Sequence, residues 1–358
     1  MNDSYDQQDD YYKLIIYHDP TKPVITISVI ILILTFLYIV HKLDKRSFKI
    51  KKLILHDTQF KQIVMNIFKQ KQNVLNQNLN SIQLPFKLIL KKLSTVAELA
   101  PENYQHTIIL LPPLLQTHLS VEIQNTCQLL FNENFRIIVV IQPGLLNELN
   151  SNQILDHDFL QLQELLDAIQ SYPNSYLLGF ESGAIKIFEV IQRKDININK
   201  CCIINCPFDW LSFIPSNIDE VWNLNTGKQL KEYYLRNQKY FQKFPIELEK
   251  LDKFLDQPSF TGFDDCFWCS KYEMNNLEEL YQHLIDPQQF DNVLYPTLII
   301  NAYNSPITSS YINKLDIYAN DNVNYILTNN GQQNAINTYN EDLFIILVQQ
   351  WFNFIEQE

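Results

Sequence analysis

The sequence predicts an α/β fold: a parallel-rich sheet covered by helices, interrupted by a helical lid insertion and preceded by one transmembrane helix. Three observations carry this prediction. Short continuous apolar runs are closed by proline or glycine, the segments between them have helical spacing, and one uncharged apolar run lies near the amino terminus. With 46% hydrophobic, 13% aromatic and 19% charged residues over 358 positions, the chain has material for a large core and is not a disordered polymer.

Residues 48–55 and 84–90 read as early strands, separated by a helix at 60–71. Residues 106–111, HTIILL, form an apolar run ended by Pro112 and Pro113, the pattern of a strand buried on both faces. A helix at 121–131 follows, then the strand FRIIVVI at 135–141, closed by Pro143 and Gly144. Within 158–169, Leu162, Leu165, Leu166 and Ile169 share one helical face. Residues 176–180 read as a strand, 182–191 as a helix and 201–205 as a strand ending near Pro207. Regular alternation of this kind implies parallel neighbours joined by crossovers on both faces of one sheet.

The alternation breaks between about residues 209 and 291, where aromatic and charged helical stretches such as 231–236 and 247–252 dominate. Trp210, Trp222, Tyr233, Tyr234, Tyr240 and Phe241 are expected to form the core of this insertion, with a partner surface as the alternative. Asp264 and Asp265 are expected on a solvated loop beneath it. The sheet resumes at 297–301 and 323–327, and a helix at 341–354 closes the chain.

Residues 24–40, VITISVIILILTFLYIV, have the length needed to cross a hydrocarbon core of roughly 30 Å as a helix, with Tyr38 suited to the interface. The expected organisation is therefore an acidic tail at 1–23, a transmembrane helix at 24–41 and a body at 42–358. Asp3, Asp6, Asp9 and Asp10 precede the run, while Lys42, Lys45, Arg46, Lys49, Lys51 and Lys52 follow it. The positive-inside rule then turns the body toward the cytosol or the mitochondrial matrix. No basic segment precedes the run and no small-residue cleavage site follows it, so a cleaved signal is not expected. The sole glycosylation sequon, at Asn2, agrees with that side of the membrane.

A net charge of -12 with no basic patch in the body argues against nucleic acid as a partner. Only six glycines occur, and neither GxGxxG nor GxxxxGK[ST] is present, which argues against a nucleotide. No cofactor is expected. Of the six cysteines, Cys266 and Cys269 form a C-x-x-C pair that could be redox-active or half of a zinc site. A second ligand pair at suitable spacing is missing, so buried, idle thiols are the expectation for Cys127, Cys201, Cys202, Cys206, Cys266 and Cys269.

Residues 176–184, YLLGFESGA, lead from a strand straight into a helix, with Gly179 and Gly183 flanking Glu181. This resembles the G-x-S-x-G nucleophile elbow of the α/β-hydrolase superfamily. Tyr172-Pro173, the segment PTLIINA at 296–302 with Ser305-Pro306-Ile307, and Leu327-Thr328 with Gly331 are similar to segments of its membrane-anchored, lipase- and esterase-like abhydrolase branch. The resemblance covers most of residues 48–354 in the right chain order.

Counted along those motifs, the resemblance places Glu181 in the nucleophile slot and Ser305, preceded by Asn304, in the acid slot. Gln333 falls in the histidine slot, or Gln332 if the alignment slips by one. The seven histidines are His18, His41, His56, His106, His118, His157 and His283, so none follows the acid loop. Pro112 and Pro113 stand in the loop that usually supplies oxyanion donors, and proline has no N–H to give. A serine hydrolase needs an imidazole as base and an anion to orient it. The expectation is thus a catalytically degenerate accessory subunit anchored in a bilayer among other subunits. An Asn-, Lys- and Ile-rich composition would suit a mitochondrial inner-membrane respiratory or ATP synthase assembly, with the endoplasmic reticulum as the alternative membrane. Glu181 would then survive as an anion hydrogen-bonded to the elbow amides. The alternatives are a lipid or ester hydrolase rebuilt around Ser182 or Glu181, and a lipid-binding module that keeps the acyl pocket.

Overall fold

The computed structural model describes residues 50–54, 58–71, 84–90, 95–149, 155, 157, 162–208, 219–284, 287–302, 305, 320–328 and 341–353. The chain divides into two units, Met1–Ser47 and Phe48–Glu358, and every described residue belongs to the second. The apolar run at 24–40, Trp210 and Gln333 lie outside the described residues. Among the described residues, no helix is long and apolar enough to cross a membrane.

Among the described residues, nine strands form one sheet: β1 Ile50–Ile54, β2 Lys87–Leu90, β3 Thr95–Leu99, β4 His106–Leu111, β5 Phe135–Ile141, β6 Ser175–Phe180, β7 Ile198–Ile204, β8 Thr297–Ala302 and β9 Val323–Thr328. Their spatial order is β1-β9-β8-β7-β6-β4-β5-β3-β2. The run β5-β4-β6-β7-β8-β9 is parallel throughout, while β1 on β9 and the β3–β2 pair beside β5 are antiparallel. Purely apolar runs fit the parallel centre because both of its faces are covered.

The pleat sorts those runs into two cores. Ile108, Leu110, Ile137 and Val139 face one cluster, with α1 Thr58–Lys71, α2 Val121–Asn132 and α11 Glu341–Asn353 supplying Phe60, Leu130 and Trp351. Ile109, Leu111, Ile138 and Val140 face the other, with α3 Leu162–Ser171 and α4 Ser182–Val190 supplying Leu165, Ile169, Ile187 and Phe188. Strand β3 is absent from the sequence expectation. Its TVAEL stretch is short and contains two poor strand formers, and it is held from outside itself by pairing to β5 and by the Arg136–Glu98 ion pair.

Between β7 and β8 the chain builds a helical insertion: α5 Glu220–Arg236, α6 Gln238–Phe241, α7 Leu248–Asp256, α8 Phe260–Phe263, a π-helical turn Asp264–Trp268, α9 Cys269–Tyr272, α10 Leu277–Leu284 and a 3-10 turn Pro287–Asn292. Asp219 starts α5 by accepting the Trp222 N–H at 2.8 Å. Trp222, Tyr233, Tyr234, Tyr240 and Phe241 are buried in a third core, with Phe254, Phe263, Phe267 and Trp268. The rings meet mainly edge-on or tilted, as aromatic quadrupoles favour; Phe241 and Phe267 have centroids 4.9 Å apart.

One connection of the scaffold, from β5 to α3, receives this insertion. Tyr233 OH donates to Pro143 O at 2.8 Å, Asn237 Nδ2 donates to Gly144 O at 3.1 Å, and Asn237 Oδ1 accepts from Leu149 N at 2.8 Å. Arg236 adds a 2.6 Å bond to Leu145 O. Gly144 has φ +82°, and a Cβ there would lie 2.7 Å from the Tyr233 hydroxyl, so both backbone and space require glycine.

Candidate functional site

At the end of β6 the chain turns sharply into α4, and Glu181 at the tip has φ 50° and ψ -113°. This region is costly for any residue with a side chain, by about 1–3 kcal/mol, and persists only where surroundings impose it. The flanking glycines show how. A Cβ on Gly183 would lie 2.5 Å from Leu111 O and 2.7 Å from Pro112 O, so the start of α4 rests directly on the backbone leaving β4. A Cβ on Gly179 would lie 2.8 Å from the Ala184 Cα, inside the packing of α4 on its own strand. Glu181 N–H meanwhile donates to Ile204 O at 2.9 Å, tying the tip to the end of β7.

The Glu181 side chain is buried, and no hydrogen bond from it caps α4. Burial, reinforced by the charge of Glu122, holds its carboxyl well above the usual carboxylate range. Ser182 is the first residue of α4 and is buried, its Oγ without a partner.

Ser305 lies just past β8, buried, with its N–H donated to Ala302 O at 3.1 Å. Beside it at the end of β7 stands Asn205, which sequence reasoning did not single out. It is fully buried, has φ 51°, and its Oδ1 accepts the Ala302 N–H at 2.9 Å. An uncharged amide thus joins the ends of β7 and β8. Its only signal in the sequence is the Asn-Cys-Pro that closes the strand.

The loop after β4 holds Leu115 at φ 62°, and the Leu115 N–H donates to Gln142 Oε1 at 2.7 Å. One donor of this loop is thus taken by a side chain at the end of β5. His118 in the same loop is buried with its ring edge-on to Phe86 at 5.3 Å, and burial lowers its pKa. His106 begins β4 at the opposite end of the strand.

His157 is brought to Asp264 instead. Its Nε2 lies 3.0 Å from Asp264 Oδ2, which also accepts the Tyr281 hydroxyl at 2.8 Å. Asp264 is fully buried in the π-helical turn, among Phe260, Trp268 and Tyr281 rings that surround the His157 ring. The expectation of a solvated Asp264-Asp265 loop is overturned for Asp264 by a partner 107 residues away in sequence. Asp265 pairs with Lys250 at 3.0 Å and is half-buried. Cys266 on that turn and Cys269 at the start of α9 are free and buried, and burial pushes both thiols up to about 12. Among the described residues no group of His, Cys, Asp and Glu is arranged to hold a metal through three such ligands.

Neither a protein-family model nor a curated protein sequence matches the chain. Solved structures do. A serine hydrolase from the polyaromatic-hydrocarbon-degrading bacterium Cycloclasticus zankles superposes with a TM-score of 0.51 at 13% identity, over 76% of this chain and 99% of that one. A carboxylesterase from Bacillus subtilis superposes with a TM-score of 0.50 at 11% identity, over 82% of this chain and 97% of that one.

Proposed function

From an α/β-hydrolase fold whose elbow carries a buried carboxyl in place of a hydroxyl, we propose that this chain is a catalytically silent scaffold. It acts as a single-pass membrane-anchored accessory subunit whose body docks other subunits of a membrane complex. The single observation that carries the reading is Glu181 itself. It is buried at the strained tip where the elbow's nucleophile would stand, and no histidine follows the Ser305 loop in the sequence. The Leu115 N–H, already bonded to Gln142, supports the same reading.

In this reading the helical insertion is a lid fixed in place, since Tyr233, Arg236 and Asn237 bond it to the β5–α3 connection. Residues 24–40 cross the bilayer, and the body faces the matrix of a mitochondrion, the cytosol being the equivalent side at the endoplasmic reticulum. Purification from native membranes, with identification of co-purifying subunits, tests the partnership; a chain recovered alone in mild detergent would sink it. Labelling with a fluorophosphonate and assay on a panel of acyl esters tests the silence. Strong labelling abolished by Ser182→Ala would establish a rebuilt hydrolase, and a lipid retained in native mass spectrometry would establish a lipid-binding module.

A further inference from the structure

An open groove of about 640 Å³ lies at the amino-terminal ends of the central strands, at the opposite end of the sheet from the elbow. It is lined by His106 and Thr107 at the start of β4 and by Arg136 at the start of β5, with Thr107 and Arg136 side by side in register. Tyr104 and Gln105, before β4, line it too, and so does the turn Tyr172-Pro173-Asn174 between α3 and β6. Among the described residues, no lysine, aspartate or glutamate lines it.

Arg136 is fixed in this groove by its neighbours. Its Nε donates to Glu98 Oε1 at 2.6 Å, its Nη2 pairs with the same oxygen, and its Nη1 donates to Tyr104 OH at 3.0 Å. The Tyr104 and Tyr172 ring centroids lie 5.1 and 4.7 Å from the guanidinium carbon. Those contacts engage three of the N–H groups and leave two without a partner among the described residues. The Gln105 and Thr107 side chains make no hydrogen bond among the described residues either. The turn is set as firmly as the arginine: Asn174 N–H donates to Asn197 O at 3.2 Å, and Asn199 Nδ2 donates to Asn174 O at 2.8 Å.

We propose that this groove docks an extended, uncharged segment of a partner polypeptide, whose backbone carbonyls accept from the unused N–H groups of Arg136 and Gln105. Glu98 already neutralises Arg136, so a carboxylate on the partner would be desolvated for little gain, whereas a neutral carbonyl suits the spare donors. Tyrosine, arginine and amide side chains without lysine, aspartate or glutamate are the composition of interface centres. Side chains held before binding also lose little freedom when the partner arrives. A small-molecule site encloses its ligand in a mostly apolar cavity. This groove is polar and its lining at Tyr104, Gln105, Pro173 and Asn174 is exposed, which suits a segment that enters and leaves it. The inference rests on the reading of the body as a docking subunit, and it leaves the elbow and the insertion uncovered.

The test uses the full-length chain in its native membrane, with the photoreactive residue p-benzoylphenylalanine replacing the exposed Pro173. After irradiation the complex is purified in mild detergent and the crosslinked peptide is identified by mass spectrometry. The expected result is a crosslink to one segment of a co-purifying subunit, with no Asp, Glu, Lys or Arg at the crosslinked residue or its immediate neighbours. Arg136→Ala and Gln105→Glu, the second placing a carboxylate in the groove, each lower the crosslink yield by about tenfold or more. Should Arg136→Ala fail to fold, Gln105→Glu decides, because its position is exposed. A crosslink only to lipid or within the chain, a crosslink to a charged segment, or a yield unchanged by Gln105→Glu overturns the proposal. A chain that purifies alone ends the docking reading and this proposal together, whereas an intact complex without the crosslink ends the groove alone.

Discussion

The Leu115 N–H and the Gln142 side-chain carbonyl meet at 2.7 Å, so the loop leaving β4 is fixed by a residue at the end of β5. Because the donor is half-buried and its loop backbone is left-handed at this point, water cannot replace the bond freely. Gln142→Ala is expected to lower stability by about 1–3 kcal/mol, the cost of a buried donor left without an acceptor. Urea denaturation measures this; a loss within error would show that the loop finds another acceptor.

Glu181 makes a pH-dependent contribution whose sign follows from its raised pKa. In the unfolded chain its carboxyl ionises near pH 4.3, whereas the folded chain keeps the proton to much higher pH. Its stabilising contribution is complete below pH 4.3 and is lost as pH rises toward the folded value. Glu181→Gln removes this dependence, so the stability of the variant relative to wild type should climb as pH rises above about 4.3. Parallel stability curves for the two proteins would contradict the upward shift.

Gly183→Ala sets two effects against each other. Alanine in a helix gains about 1 kcal/mol over glycine, but the added methyl meets carbonyl oxygens of Leu111 and Pro112, which are backbone and cannot swing away. We expect net destabilisation of about 1–3 kcal/mol and a displaced elbow. Gly227→Ala places a methyl against the Ser259 backbone where α5 crosses the start of α8. There the damage should stay within the insertion, seen as faster amide exchange in α5 and α8 with β4 to β7 still protected. Uniform loss of protection would show that the insertion and sheet unfold as one.

Asp264 supports His157 and Tyr281 through a single oxygen. Replacing it with Asn disturbs two buried hydrogen bonds made through that oxygen, with an expected cost of about 1–3 kcal/mol. Tyr281→Phe removes one bond to a carboxylate, with an expected cost of about 1.5–3 kcal/mol. In a double-mutant cycle the two costs should be strongly non-additive. Additivity would mean that Tyr281 does not depend on Asp264.

Much of the sheet is legible because parallel strands buried on both faces read as continuous apolar runs. FRIIVVI is a strand over the predicted residues 135–141, and HTIILL over 106–111. Strand order is not legible: β4 lies between β5 and β6, and nothing in either run records which neighbour it takes. The elbow is legible because close packing leaves glycine as the only residue that fits on both sides of Glu181. The raised pKa of Glu181 and the His157–Asp264 pair are not, since each depends on what distant segments place around a side chain. Asp264-Asp265 reads as a wet loop in one dimension and forms a dry π-helical turn in three.

Strand β1 pairs with β9 from the opposite end of the folded unit, Ile54 beside Tyr325 and Leu53 beside Ile326. During synthesis the first strand must wait, its edge open, until almost the entire body has been made. Long-range pairing of this kind slows folding and exposes unpaired edges to other chains in the interval. The sheet is therefore sealed last at the edge where it begins. That edge is where a chaperone or a partner chain has the longest opportunity to add a strand of its own.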